Sequence, residues 1–349
     1  MDKRNSALKN YLAASGGMLL ILVISFGVLV VLAFLLSKTP GRTLGYFFFG
    51  PLRNLYYFGN MLNSAIPLIF GGLGVSIAMQ ANCFNLGGEG QIYTGAFVTT
   101  IAALALAPLG LPGAVLALAA GAAVSGLAAG ISGFLKVRWN TGELITSFLI
   151  SNTLILVTGY CVTGPFLDPG TNLQSTRKIP ENFRLPLILP PSNLSAALFF
   201  ALAAAILVYI FLYRSKPGYE LRMSGINKVF AQYGGINTSG KIVLALFLSG
   251  MFYGLGGGMA IYGTYHSTIK EFSSGMGWNG LAVALIARNK PLAVIPAAVF
   301  FAWIGSGARI ATQFSDITFE IASIVQSVVF FLVTSTVLLD IFKRQRVPG

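Results

Sequence analysis

Polar residues with chemical potential are scarce in this chain and gather at three places. The first is Asn82-Cys-Phe-Asn-Leu-Gly-Gly-Glu-Gly-Gln91, which sets Asn82, Asn85, Glu89 and Gln91 between two apolar stretches. Gly87, Gly88 and Gly90 permit irregular backbone there. Non-helical backbone at membrane depth survives only where protein or water satisfies its polar groups, and interrupted helices of this kind line solute sites in transporters. A plain cytoplasmic turn with a solvated Glu89 fits the same residues equally well. The second is Ser273-Ser-Gly-Met-Gly-Trp-Asn-Gly280, where Trp278 could stack on a ring and Asn279 could hydrogen-bond it. Trp278 could equally anchor the chain at the bilayer interface. Asn152, inside an apolar run, could face a pathway or bond a neighbouring helix.

The third is the basic segment 214–241, with Arg214, Lys216, Arg222, Lys228 and Lys241 against the single acid Glu220. Five cations do not belong in lipid. Pro217-Gly218 signals a turn, and Leu221, Met223, Ile226, Val229 and Phe230 recur at roughly helical spacing. The pattern predicts one short amphipathic helix on the cytoplasmic side, stopped by Gly234-Gly235. Its apolar face needs a lipid surface or a partner protein to lie against.

The remainder is a membrane scaffold. Of 349 residues, 55% are hydrophobic and 9% charged, the mean hydropathy is +0.76, and 41 are glycine. Soluble domains carry about 25% charged residues. An all-α integral membrane protein with one transmembrane domain over 1–349 is expected. A span needs about 20 apolar residues, which places about ten helices near 15–36, 61–80, 91–109, 112–135, 143–163, 192–213, 242–265, 275–288, 292–310 and 319–340. The helix at 275–288 is expected to be short or partly re-entrant. Residues 37–60, rich in Phe and Tyr, read as interfacial, and 164–191 as an outer loop rich in proline. Ser15 to Leu36 is too long for a secretory signal core and reads as a retained first helix. With the N-terminus inside, one side holds fifteen Lys and Arg and the other eight. That bias predicts both termini in the cytoplasm.

Several classes drop out. The net charge of +13 is spread over span ends, without a basic stripe interleaved with aromatics, so no nucleic-acid partner is expected. One histidine and two unpaired-looking cysteines, Cys83 and Cys161, give no metal site and no disulfide framework. The glycines of Gly250–Gly258 suit close helix packing; no Lys-Ser/Thr follows to make a phosphate loop. No nucleophile-base set appears, so no catalytic residue is assigned. An ion-coupled secondary transporter would need an intramembrane acid, for which only Glu89 and Glu143 are placed.

Five motifs in order then point to one family. Phe84-Asn-Leu-Gly-Gly-Glu-Gly-Gln91 with Gly95-Ala-Phe97, Thr141-Gly-Glu-Leu-Ile-Thr-Ser-Phe-Leu149, Gly218-Tyr-Glu-Leu-Arg-Met-Ser-Gly-Ile-Asn227 with Tyr233-Gly-Gly-Ile-Asn237, Ser249 through Gly258, and Gly277-Trp-Asn-Gly-Leu-Ala-Val-Ala-Leu285 resemble bacterial ABC-importer permeases of the branched-chain amino acid, monosaccharide and nucleoside class. Met223-Ser-Gly225 departs from that family's usual hinge. The resemblance covers about residues 60–340 and is nearest the nucleoside and simple-sugar branch. It implies a multi-pass permease of the bacterial inner membrane that binds no cofactor. ATP and Mg would be used by a separate ATPase subunit docked on Lys216, Gly218, Glu220, Leu221, Arg222, Gly225 and Asn227. A periplasmic or lipid-anchored binding protein would deliver solute, and a second permease, identical or paralogous, would complete the pathway. For a nucleoside, Phe84 or Trp278 would meet the base, and Asn85, Gln91 and Asn279 the hydroxyls. Glu89 and Asn152 complete the expected pathway set. A sugar, a flavin or a branched-chain amino acid are the alternative solutes.

Overall fold

The structure is a computed structural model that describes residues 37–316 without interruption and scattered positions between 27 and 331 outside them. The helices expected near 15–36 and 319–340 lie mostly, and both termini wholly, outside the described residues. The described residues form eleven α-helices and no strand. We label them α1 (Pro40–Phe49), α2 (Leu55–Gln80), α3 (Gly88–Ala105), α4 (Leu111–Trp139), α5 (Glu143–Thr163), α6 (Ala197–Arg214), α7 (Lys216–Ile226), α8 (Lys228–Tyr233), α9 (Thr238–Ala260), α10 (Met276–Ile286) and α11 (Pro291–Phe314). Six of these, α2, α4, α5, α6, α9 with its π-helical extension to Tyr265, and α11, are long and apolar enough to cross a membrane. α2 starts at Leu55, six residues before the expected position, because Tyr56 and Tyr57 extend the helix instead of preceding it.

Two compact units are distinguished. The smaller comprises the described residues before Gly59 and after Ala302. Asp316 accepts hydrogen bonds from Ser37 Oγ at 2.6 Å and Lys38 N at 2.5 Å, just ahead of α1. Tyr46 stacks on Phe314 with the Arg53 guanidinium over its ring at 4.8 Å, a cation–π contact within the aromatic segment.

In the larger unit, Gly59–Ala302, the core is where α3, α4 and α9 meet. Small residues set the spacing. A Cβ on Gly254 of α9 would lie 2.7 Å from the Ser125 side chain of α4 and 2.8 Å from the Gly121 carbonyl. One on Gly257 would strike the Ile92 carbonyl of α3. Lipid chains are as apolar as leucine, so close van der Waals packing takes the role that water exclusion has elsewhere. Helix α5 joins through hydroxyls: Ser147 Oγ accepts from Leu86 N at 3.1 Å, Ser151 Oγ accepts from Gly90 N at 2.9 Å, and Thr158 shares a hydrogen with Thr94 at 2.9 Å.

The cation-rich connections collect at one end of this unit. Lys136 Nζ lies 3.9 Å from Cys83 Sγ, Gln80 Nε2 donates to Asn289 O at 3.1 Å, and Gly225 is pressed on the Gln80 carbonyl. At the other end, the loop after α5 is stitched to residues 262–270. Leu185 N donates to Tyr262 O, Ile179 N to His266 O and Thr176 N to Thr268 O, at 2.8–3.0 Å.

Candidate functional site

The break between α2 and α3 closes on itself. Asn85 Nδ2 donates to Gln91 Oε1 at 2.8 Å and to Ser249 Oγ of α9 at 3.0 Å. Its Oδ1 accepts from Gly87 N at 2.9 Å and Gln91 Nε2 at 3.1 Å. Asn85 is 2% exposed and Gln91 is fully buried. This pair satisfies a non-helical turn in the protein interior, which is the condition for such backbone to exist at that depth. Phe84 is half-buried beside it.

Glu89 unites the two glycine-rich breaks. Its Oε1 accepts from Gly275 N at 2.9 Å and its Oε2 from Gly277 N at 2.8 Å. The first amides of a helix have no partner within it and favour negative charge, so this carboxylate completes the amino end of α10. Gly277 is required: a Cβ there would strike Glu89 N and lie 2.5 Å from the Gly88 carbonyl carbon. Tyr253 Oη donates to Gly277 O at 3.2 Å from α9.

With 11 residues, α10 is about 16 Å long, half a bilayer core. The chain reaches its start by a non-helical descent over residues 266–275, alongside α3. Thr268 Oγ1 pairs with Thr100 Oγ1 at 2.8 Å, the Phe272 ring meets Tyr93 at 6.0 Å, and Gly275 meets Glu89. Lys270, Glu271 and Ser274 are exposed along it. Trp278 is 44% exposed and its ring sits 6.2 Å from that of Phe148 on α5. Asn279 is half-buried, and Asn152 stands on the exposed side of α5. Glu89, Trp278, Phe148 and the Asn85–Gln91 pair thus surround the first turn of α3, whereas Asn152 lies one turn beyond Phe148. Glu143, the second acid of interest, pairs with Lys136 at 2.7 Å. Among the described residues no group of three His, Cys, Asp or Glu could hold a metal.

The basic segment forms two helices at an angle, where one was expected. Asn227 adopts extended backbone at φ −152°, ends α7, and caps α8 by accepting from Phe230 N at 2.9 Å. Ser215 caps α7 by accepting from Gly218 N at 3.2 Å. Gly218 lies against the Phe211 carbonyl, Gly225 against that of Gln80, and Leu221 is fully buried. Glu220 pairs with Lys241 of α9 at 2.6 Å. Arg222 Nε donates to Leu212 O at 2.9 Å while its guanidinium covers Tyr213 at 4.8 Å. Lys216 is exposed. The polar pairs therefore face the bundle. The outer side is an apolar ridge: Ile226, Val229, Phe230 and Tyr233 are 60–90% exposed.

The Lys241 ammonium, by hydrogen bond, holds the Glu220 carboxyl below its ordinary value of 4.5. A depressed folded-state value contributes stability that is complete above the unfolded value and fades as pH falls through the folded one. The elbow should therefore be pH-independent at neutrality and loosen below about pH 4.5. Acid-titrated unfolding of the wild type against Glu220→Gln checks this, the variant lacking that part of the slope.

The hydrogen-bonding roles of Ser147, Ser151 and Ser249 are not among the sequence expectations, although Ser147, Ser151 and Thr158 recur at helical spacing. Glu271 was also missed; nothing in its sequence neighbourhood marks a carboxylate on the descent.

Comparison with known proteins follows the same lines. The family model described as branched-chain amino acid transport system, permease component, matches residues 57–334. A probable riboflavin import permease of Treponema pallidum is 31% identical over 305 residues, covering 86% of this chain and 80% of its own. A guanosine ABC transporter permease of Bacillus subtilis is 31% identical over 296 residues, 82% of this chain and 83% of its own. A glucose ABC transporter permease of Haloferax volcanii is 28% identical over 331 residues, 89% and 84% respectively. No solved structure matches. With six helices able to span a membrane and a family match over most of its length, the chain belongs to the branched-chain amino acid transport-system permease family and is a multi-pass membrane permease subunit of an ABC importer, a family whose ATPase is a separate chain.

Proposed function

We propose that this permease moves a nucleoside into the cell, using ATP hydrolysed by a subunit docked on the elbow α7–α8. The observation that carries the energy-coupling half is the elbow itself. It is bound inward to α2, α6 and α9 and presents Ile226, Val229, Phe230 and Tyr233 outward, and an exposed apolar cluster of this kind suits a protein contact. The solute half rests on relatives named for guanosine and nucleosides and on the exposed Trp278 beside Phe148, which offers a flat ring a stacking face. A riboflavin permease among the relatives also implies a flat heteroaromatic cargo. Asn152, Asn279 and Phe84 complete the pathway wall, while Asn85 and Gln91 hold it in shape. A second permease, identical or paralogous, covers the exposed side of α5, and a binding protein meets the loop after it. Ten spans with both termini in the cytoplasm complete the topology, since the cation-rich connections share one end.

Reconstitution of the permease with its ATPase and binding protein tests the solute. Nucleosides should stimulate ATP hydrolysis; stimulation by monosaccharides alone would overturn that assignment. Changing Glu220 and Arg222 together to alanine removes the ion pair of α7 to Lys241 of α9 and its hydrogen bond to Leu212 O of α6. Solute-stimulated hydrolysis and uptake should part company by roughly tenfold, within the range of ordinary coupling energies. Unchanged coupling would remove the elbow from the mechanism.

A further inference from the structure

Glu89 was expected to meet solute, yet both of its oxygens are committed to the amides of Gly275 and Gly277. We infer that Glu89 is a positioning residue, a latch that fixes the amino end of α10 in the resting permease and releases it during transport. The inference rests on the transport reading above only for its kinetic arm. Three features make the contact a latch instead of a permanent cap. First, the backbones approach closely beside it: Gly277 lies on Gly88 and Glu89, and a Cβ on Gly280 would stand 3.1 Å from Gly71 Cα. The side-chain holds there are the Tyr253 Oη–Gly277 O bond and Val283 against Gly72, and Glu89 is the side chain of α3 that bonds the first amides of α10. Second, the residues before α10 can absorb a swing. Glu271, Ser274 and Gly275 all have positive φ, at 56°, 28° and 85°, and Gly275 has open space around it. Third, the far end of the descent is pinned. Thr176 N donates to Thr268 O, Lys270 N to Gln174 O, and the Thr100 and Thr268 hydroxyls pair, so motion has a pivot on the outer side. Glu89 is only half-buried, which lets water replace the two amides when the latch opens. In the open state the wall carrying Trp278 and Asn279 is free to move, and the outer loop is linked to it through one short segment.

Hydrogen exchange of the peptide over 273–280 reports the latch directly. In the permease alone, Glu89→Ala should accelerate that exchange at least tenfold, with Glu89→Asp between the two. In the assembled wild-type complex, locking the ATPase with a non-hydrolysable ATP analogue should accelerate it at least tenfold over the nucleotide-free state. Equal protection in both nucleotide states would overturn the inference, and needs no variant to fold. So would unchanged exchange in folded Glu89→Ala. In transport, Glu89→Gln should lower kcat and leave KM within about twofold, the pattern of a lost step rather than a lost contact. A tenfold rise in KM with kcat intact would make Glu89 a solute ligand instead. If nucleosides fail to stimulate hydrolysis while the exchange results hold, the solute assignment falls and the latch stands.

Discussion

Leucine at position 85 should cost the permease about 4 kcal/mol or more of stability, before any effect on flux is considered. The side chain of Asn85 satisfies both ends of the Gln91 amide, Gly87 N and Ser249 Oγ. Leucine matches its size but leaves these groups without partners in a dry interior, at about 1–3 kcal/mol for each orphan. Thermal unfolding in a fixed detergent measures the loss. Changing Gln91 to leucine as well should recover part of it, because two apolar side chains tolerate each other where one stranded amide does not. If Asn85→Leu instead unfolded like the wild type but failed to transport, Asn85 would be a pathway residue.

An equally large effect is expected from Gly254→Val. The Cβ alone would intrude on Ser125 and the Gly121 carbonyl, and the latter is backbone that cannot step aside. Overpacking of a tight contact costs about 1–3 kcal/mol, and more where backbone cannot yield. Here α4 and α9 would have to separate along the centre of the larger unit. Size-exclusion chromatography of the purified variant should show little monodisperse protein. Gly130→Ala is the control on the same pair of helices. Its Cβ would meet Phe247 at an ordinary 3.7 Å, and alanine improves helix propensity by up to about 1 kcal/mol. That variant should be tolerated or slightly stabilised. Collapse of both would mean that any added volume between α4 and α9 is excluded.

The outline of the fold was visible in composition. Glycine, asparagine and proline mark where helices stop, so both breaks, the proline-rich loop between α5 and α6, and the elbow coincide with interruptions of the long helices. Ser215, Asn227 and Asn237 are helix caps of the expected residue types. The pairing of those pieces was not visible. Glu89 and Gly277 are 188 positions apart, and nothing local to either announces the other. The elbow misled for a related reason. Leu221, Ile226, Val229 and Phe230 suggest one face, yet the extended Asn227 turns the chain, so Leu221 is buried and the others are exposed. On α5 the face that packs carries hydroxyls and the face that is bare carries leucine and isoleucine. Hydropathy ranks them the wrong way round for a chain whose solvent is lipid.

The brevity of α10 constrains how the molecule can live. In the proposed ten-span topology, the rest of that crossing beyond its amino end falls to a descent on which Lys270, Glu271 and Ser274 are exposed. Acyl chains cannot wet such a surface without stranding charge. On the proposed topology a solitary copy would sit poorly in the bilayer, and the second permease proposed above would be what shields the descent.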